Sequence, residues 1–510
     1  MSDAALDYLS AHGPSLTSDV AQFLIDNHGL KPDAARQRVS LTRTAVKRLA
    51  YITFPRKARF IYLQQQYGSP QYWENLVEAL IRTRSANGLA LESILQRGGL
   101  LPTKHFAIAC GAPMMQARHL SPDTIFNRLK QAQLLDKVLV SGVGECIVFS
   151  QYEGRYEFLA QDVRARLITE SVLLKAISDW SRKLGLVSYE KVSTRDGETL
   201  PRVGTFAWDL TAPSYLSFLA KGDDGKQKPG FLACDVLLGE EVGVGGIRPF
   251  LQKCHSLRAL RNVGPTIRMF VADSYSHDAF MLAKQNGIIA ATPGNLFGDE
   301  IAAGLKELTS VLRQAATSAI DPGRFDELFS KLGKIEGAST QLRGTLFEYL
   351  AADIVRKTIS WDIKMNRILK DDANKKQAEV DVVAINGNAS IHLFECKGYS
   401  PYGEIPDSEF KRWLQHNVPT AFTAIKNHPD WKNLKVHFEF WATGSLSAEA
   451  LEMFDVAKKP VKPSRYTLGL KLAPAILAMC KETNDKGLTT AFQKHYMKAS
   501  AIRLLTNFYI

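Results

Sequence analysis

The stretch from Val380 to Lys397 restricts the fold of this chain more than any other. Val380-Asp381-Val382-Val383-Ala384-Ile385 is rich in β-branched residues, and Asn386-Gly387-Asn388 has the composition of a turn. After it, Ile391, Leu393, Glu395 and Lys397 alternate with His392, Phe394 and Cys396. Successive side chains of a strand point to opposite faces, so the pattern predicts a hairpin whose second strand projects Glu395 and Lys397 from one face. Asp381 opens the partner strand, which puts two carboxylates and one ammonium on neighbouring strands. Two carboxylates suit a hard cation such as Mg²⁺, and a lysine beside them can polarise a water for attack on phosphate.

At 510 residues the chain exceeds the roughly 250–300 at which a single core stops growing, so several domains are expected. A hydrophobic content of 45% with 23% charged residues describes a soluble globular protein. No apolar run approaches the roughly 20 residues that span a bilayer, and the first residues lack a secretory apolar core, which points to the cytoplasm and away from membranes. Six scattered cysteines without CxxC, and eleven histidines without a close ligand pair, argue against a disulfide framework and a zinc site.

The net charge of +12 is unevenly spread. Between Asp33 and Glu74 there is no acidic residue, while Arg36, Arg38, Arg43, Lys47, Arg48, Arg56, Lys57 and Arg59 all fall there. Surfaces normally mix both signs, so a one-sign segment of this length points to a polyanion, and nucleic acid is the commonest. Residues 1–68 read as three helices and a hairpin. Gly29 stops the second helix, Pro32 opens a third that is expected from Ala34 to Leu49, and Ala50–Phe54 and Phe60–Leu63 are expected as strands flanking the basic tip Pro55–Arg59. This order resembles a winged helix-turn-helix domain. The resemblance implies binding of double-stranded DNA through Arg36, Arg38, Arg43, Lys47, Arg56, Lys57 and Arg59, although winged helices also serve as protein-interaction modules. Residues 69–155 read as a second, less basic copy.

Residues 156–310 carry a further α/β pattern of helix, strands, helix, strand, helix and strand, and the order recurs later in the chain. The expectation is a structural repeat in which Asp235-Val236-Leu237 stands where Glu395-Cys396-Lys397 stands in the second copy, with the lysine missing. An unrelated α/β domain remains the alternative. Gly222–Gln227 lacks P-loop spacing, and no GxSxG occurs.

In residues 311–460, Arg343–Ala352 starts a helix on which Glu348 shares a face with Ala351, Ala352 and Val355. A carboxylate on such a face is explained if it aims at Asp381 and Glu395. With the helix Ser408–Lys426 and the strand Lys435–Ala442, this set resembles the PD-(D/E)XK nuclease superfamily, the fold of many restriction endonucleases. The usual proline before the first aspartate is absent, with Glu379-Val380 in its place. The resemblance implies a mixed sheet flanked by helices and an endonuclease dependent on Mg²⁺ or Mn²⁺. It implies Asp381 and Glu395 as metal ligands, Lys397 as the residue that orients or activates water, and Glu348 as a helper in placing metal or water. Defence of a bacterium against foreign DNA is a setting it suggests, and double-strand cutting would call for a homodimer. A DNA-binding regulator or scaffold with silent nuclease-like domains is the other reading. Tyr399 and Tyr402 could stack on a base or pack the loop, Gln415 is expected at the surface, and His392 is expected in the core. Residues 461–510, after Pro460-Val461-Lys462-Pro463, read as a largely helical extension.

Overall fold

The computed structural model describes residues 4–40, 45–216, 219, 221–223, 226–260, 263–315, 321, 323–335, 338–462 and 464–498. The chain divides into two compact units, residues 1–139, 145–159 and 180–292 in the first and 140–144, 160–179 and 293–510 in the second.

The first unit opens with the same element order twice. Helix α1 (Ala4–His12), strand β1 (Ser15–Leu16), helices α2 (Thr17–His28) and α3 (Pro32–Ser40), and strands β2 (Val46–Arg48) and β3 (Phe60–Leu63) form a sheet of order β1-β3-β2. After α4 (Pro70–Arg82), the elements α5 (Ala86–Leu95), β4 (Leu100–Pro102), α6 (Thr103–Ala109), α7 (Pro122–Gln131), β5 (Leu135–Val140) and β6 (Gly144–Phe149) repeat it with order β4-β6-β5. Local chemistry sets these ends. Gly29 closes α2 at φ +61° with its N–H returned to Ile25, and Ser69, Ser85 and Ser121 cap α4, α5 and α7 with their hydroxyls.

The expected helix from Ala34 to Leu49 is shorter than the sequence suggests. It ends at Ser40, and Lys47 and Arg48 lie on β2, where Val46, Lys47 and Arg48 pair with Leu63, Tyr62 and Ile61. Strand pairing with β3 outweighs helix propensity here. Arg43 lies outside the described residues. Ala50–Phe54, expected as a strand, is a loop that buries Ile52 and Phe54 and turns through Tyr51 at φ +68°.

Helix α8 (Tyr156–Lys183) follows, its residues 160–179 belonging to the second unit. Next come β7 (Ser193–Thr194), the hairpin β8–β9 (Arg202–Val203, Phe206–Ala207), β10 (Leu210–Ser214), the hairpin β11–β12 (Lys221–Asp223, Lys226–Lys228) and β13 (Gly230–Leu237). Helix α9 (Val244–Arg258), β14 (Thr266–Ala272), α10 (His277–Gln285) and β15 (Ile289–Ala291) complete the first unit. Its five-stranded sheet has order β7-β10-β13-β14-β15, antiparallel at the first two pairings and parallel at the last two.

The second unit contains α11 (Pro293–Phe297), α12 (Asp299–Ala315), α13 (Gly323–Leu332), α14 (Ala338–Thr358), β16 (Asp362–Asp371), β17 (Lys376–Asn386) and β18 (Ser390–Lys397). It continues with α15 (Asp407–Arg412), a π-helical turn at Trp413–Asn417, α16 (Val418–Asn427), β19 (Lys435–Ala442), α17 (Ala448–Lys458), β20 (Thr467–Leu472), α18 (Ala473–Glu482) and α19 (Lys486–Tyr496). The sheet order is β16-β17-β18-β19-β20, again two antiparallel pairings followed by two parallel ones. Val383, Ile391, Leu393, Phe438 and Phe440 pack with Phe410, Trp413 and Ile425 of the α15–α16 layer. Helix α14 packs on β16, β17 and β18 and buries Leu346, Phe347, Leu350 and Ile354.

The sheet does not end at residue 460. Strand β20 runs parallel to β19 within the segment expected as a helical extension, because Leu468, Leu470 and Leu472 alternate with strand period and join the core. Residues 499–510 lie outside the described residues.

His392 is a packed residue, as expected, and its ring stacks on His437 of the neighbouring strand with centroids 4.4 Å apart. Burial, and then His437, push its pKa down to about 4, with Lys471 adding and Glu439 opposing. The unfolded chain therefore takes up a proton near pH 6.5 that the folded chain refuses until about pH 4. Stability should fall as pH drops through that window, and His392→Phe should flatten the fall. Urea midpoints between pH 7 and 4.5 test this, and parallel pH profiles for the two proteins would contradict it.

Candidate active site

Three elements of the second unit, α14, β17 and β18, bring the expected residues together. Lys397 and Glu395 lie two apart on β18 and form an ion pair, Nζ to Oε1, of 2.8 Å. Asp381 stands where the β17–β18 ladder stops. The last pair is Val382 with Phe394, and beyond it the Asp381 carboxylate accepts the Cys396 N–H at 2.7 Å. Across β17, the β16 ladder omits the Asn366–Asp381 pair, and Asn366 has φ +52°. The buried side of β17 changes from Ala378 and Val380 to Val383 and Ile385 across the same point. Such a local break re-aims a side chain and is common beside active sites.

Glu348 comes to the site on α14. Gly398, directly after Lys397, makes the approach possible, because a Cβ there would lie 2.4 Å from the Arg343 carbonyl oxygen and 2.5 Å from Phe347 Cβ. The Glu348 carboxylate accepts a hydrogen bond from Arg164 Nη2 of α8 at 2.8 Å. Two further residues complete the site. Asn417 donates to the second Glu395 oxygen at 3.2 Å, and Glu409 lies 3.9 Å from Lys397 and accepts the Tyr399 hydroxyl at 2.7 Å. Tyr399 thus packs the loop, Tyr402 is exposed, and Gln415 faces a groove with α17.

The electrostatics bind these groups into one cluster. Burial, and then the Glu395 charge, push the Asp381 carboxyl well above its ordinary range, with Glu348 adding and Lys397 opposing. Glu348 is raised by burial and opposed by Arg164 and Lys397. Lys397 is held above its ordinary value by Asp381 and Glu395 against burial, and Arg164 by Glu348, Tyr349 and Asp381. Four carboxyl groups, Glu348, Asp381, Glu395 and Glu409, thus surround two cations, Lys397 and Arg164, so acidic side chains outnumber basic ones.

The residues fit a hard divalent cation. One oxygen each of Asp381 and Glu348 accepts no hydrogen bond among the described residues, so open oxygen ligands remain inside a partly buried, negatively charged cluster. Among the described residues no group of three or more His, Cys, Asp or Glu side chains is placed so that it could hold a metal ion. Mg²⁺ does not need such a group, since it binds through one or two carboxylates and keeps several waters.

The sequence gave no sign of Arg164 or Asn417. Arg164 pairs with a residue 184 positions away, and the π turn shifts Asn417 onto the face that meets Glu395, where helical spacing from α15 does not predict it. Arg164→Ala should destabilise the chain by about 1–3 kcal/mol, because Glu348 then stays partly buried without its cation. Adding Glu348→Gln should recover most of that. Urea unfolding reads both, and an equal loss in single and double variants would contradict the pairing.

The expected nucleic-acid residues separate into two groups. Arg36, Arg56, Lys57 and Arg59, with Arg48, line one cleft of about 820 Å³ in the first unit. Arg38 and Lys47 are exposed outside it. Arg56 and Lys57 hold φ +55° and +61°, a left-handed turn that non-glycine residues adopt only where the surrounding structure fixes it. In comparisons with protein-family models, curated proteins and solved structures, nothing matches the chain.

Proposed function

We propose that the protein is a divalent-metal-dependent endonuclease that hydrolyses phosphodiester bonds at Glu348, Asp381, Glu395 and Lys397 and is brought to duplex DNA by the basic cleft of its N-terminal winged-helix-like region. The observation that carries the reading is the meeting of the Lys397–Glu395 ion pair, the Asp381 carboxylate on the Cys396 N–H and the Glu348 carboxylate in one partly buried cluster. Its charge count supports the same conclusion. Acidic side chains outnumber the cations Lys397 and Arg164 there, an imbalance that a divalent cation would offset.

In this reading Asp381 would hold the cation, Mg²⁺ or Mn²⁺, through its open oxygen, and Glu395 would join it by giving up its bond to Lys397 or Asn417; when bound, the cation supplies positive charge to the phosphate and lowers the pKa of a coordinated water. Asp381 and Glu395 favour the charged form of Lys397 against burial, so it acts as a hydrogen-bond donor that orients the attacking water or a phosphate oxygen. Glu395 fixes the ammonium, and Asn417 fixes Glu395. Arg164 orients Glu348, whose open oxygen can accept a hydrogen bond from the water. The experiment is incubation of supercoiled plasmid with the full chain in Mg²⁺, Mn²⁺ or EDTA, beside Asp381→Asn and Lys397→Met. Metal-dependent nicking that both variants lose supports the proposal. Duplex binding with identical background nicking in all three supports a silent DNA-binding scaffold instead.

A further inference from the structure

The sheet of the first unit holds its own acidic pair at the matching place. In both units the antiparallel ladder ends one step before two carboxylates. Leu210 pairs with Cys234 and Asp209 and Asp235 come next, as Val382 pairs with Phe394 and Asp381 and Glu395 come next. The hydrogen bond beyond the ladder is also the same. Asp209 accepts the N–H of Val236, the residue after Asp235, at 2.8 Å, as Asp381 accepts the N–H of Cys396, the residue after Glu395, at 2.7 Å. Strand order and directions agree as well.

The surroundings of the two pairs are opposite. Where β18 has Lys397, β13 has Leu237, which is 1% exposed. The ammonium arrives instead on α9 as Lys253, 0% exposed, bonded to Asp235 and to the Ala207 carbonyl at 2.9 Å, with Nζ 4.2 Å from the Trp208 ring centroid. Arg195 donates to Asp209 at 2.9 Å. All four carboxylate oxygens are thereby taken by internal donors: Arg195 and the Val236 N–H on Asp209, Lys253 and the Asp209 N–H on Asp235. Two anions meet two cations, and none of the four residues is more than 5% exposed. Asp381 and Glu348 each keep an open oxygen and sit among more carboxyl groups than cations; Asp209 and Asp235 have neither feature.

We infer that the β7–β15 sheet is a second copy of the β16–β20 architecture in which the acidic pair is closed by the chain's own cations, so that Asp209, Asp235, Lys253 and Arg195 form an internal ionic core that takes neither a divalent cation nor a phosphodiester. Lys253 is the lock. It stands beside Asp235 in the place a bound cation would take, its ammonium lies over the rings of Trp208 and Phe250, and it is fully buried from solvent. The closed copy thus serves as scaffold, and any chemistry belongs to the open one.

The structural part of this inference stands whether or not the second unit cuts DNA, and the test keeps the two apart. Lys253→Met in the full chain should lower the melting temperature by roughly 5 °C or more, since two buried carboxylates lose their ammonium. Lys253→Met with Asp235→Asn should recover most of that loss, and it should do so even if the single variant fails to accumulate. Asp235→Asn should leave the number of Mn²⁺ ions bound per chain, read by electron paramagnetic resonance, as in the wild type. Plasmid nicking by the double variant should match the wild type. A Lys253→Met protein as stable as wild type, a double variant no better than the single, or a Mn²⁺ ion or nicking activity lost with Asp235→Asn would each overturn the inference. A wild type without nicking counts against the nuclease proposal alone, because the stability comparison is unaffected by it.

Discussion

Lys397→Met should reduce metal-dependent plasmid nicking by about 10²–10⁴-fold, the range typical of removing a positioned polar or acid–base group. The substitution keeps the length of the side chain and removes its charge. Because Lys397 is held by Glu395 and not by backbone, its loss should leave the β18 strand in place. The metal ligands remain, so the variant should bind Mn²⁺ at least as well as the wild type, with one fewer cation competing for Glu395. Asp381→Asn should lose both activity and metal, because the amide brings no charge to a position whose open oxygen the proposal assigns to the cation. Single-turnover nicking rates beside metal titrations separate these outcomes. A Lys397→Met variant that cuts within a few-fold of wild type would remove the lysine from the mechanism.

The second large effect belongs to the N-terminal cleft. Replacing Arg36, Arg56, Lys57 and Arg59 together with alanine removes four cations that line one surface. Each phosphate contact contributes about 0.9 to the slope of log K against log salt, so the slope should fall by about 3–4 and affinity for a short duplex at moderate salt by about 100-fold or more. All four side chains are exposed, so the melting temperature should hold. Fluorescence anisotropy over a range of salt concentrations measures the slope. The same slope before and after the substitutions would show that phosphates are not what this cleft binds. Replacing Arg38 and Lys47, which lie outside the cleft, should change the slope by less.

Much of the β16–β20 sheet was legible because its signals are local. The alternation from Ile391 to Lys397 sets Lys397 beside Glu395 on one strand, and the Asn386–Asn388 turn makes the hairpin that brings Asp381 to them. Glu348 was legible for a related reason, as a carboxylate on an otherwise apolar helical face. Arg164 and Asn417 were not, since one depends on contact across 184 positions and the other on a π turn that no spacing rule marks. The third helix was overextended because Ala45–Leu49 favours helix in isolation, whereas pairing of Val46 with Leu63 holds the segment extended. The matching acidic pair shows the same division. Asp235 could be aligned with Glu395 from element order, but Lys253 comes from a helix eighteen residues later and only the packed structure joins them.

The central claim is that Asp381 and Glu395 hold a divalent cation that Lys397 does not help to bind. Its most direct test is a Mn²⁺ titration of the full chain followed by electron paramagnetic resonance, for wild type, Asp381→Asn and Lys397→Met. The account predicts bound Mn²⁺ in the wild type, its loss in Asp381→Asn and its retention in Lys397→Met. Binding by Asp381→Asn equal to that of the wild type would contradict it.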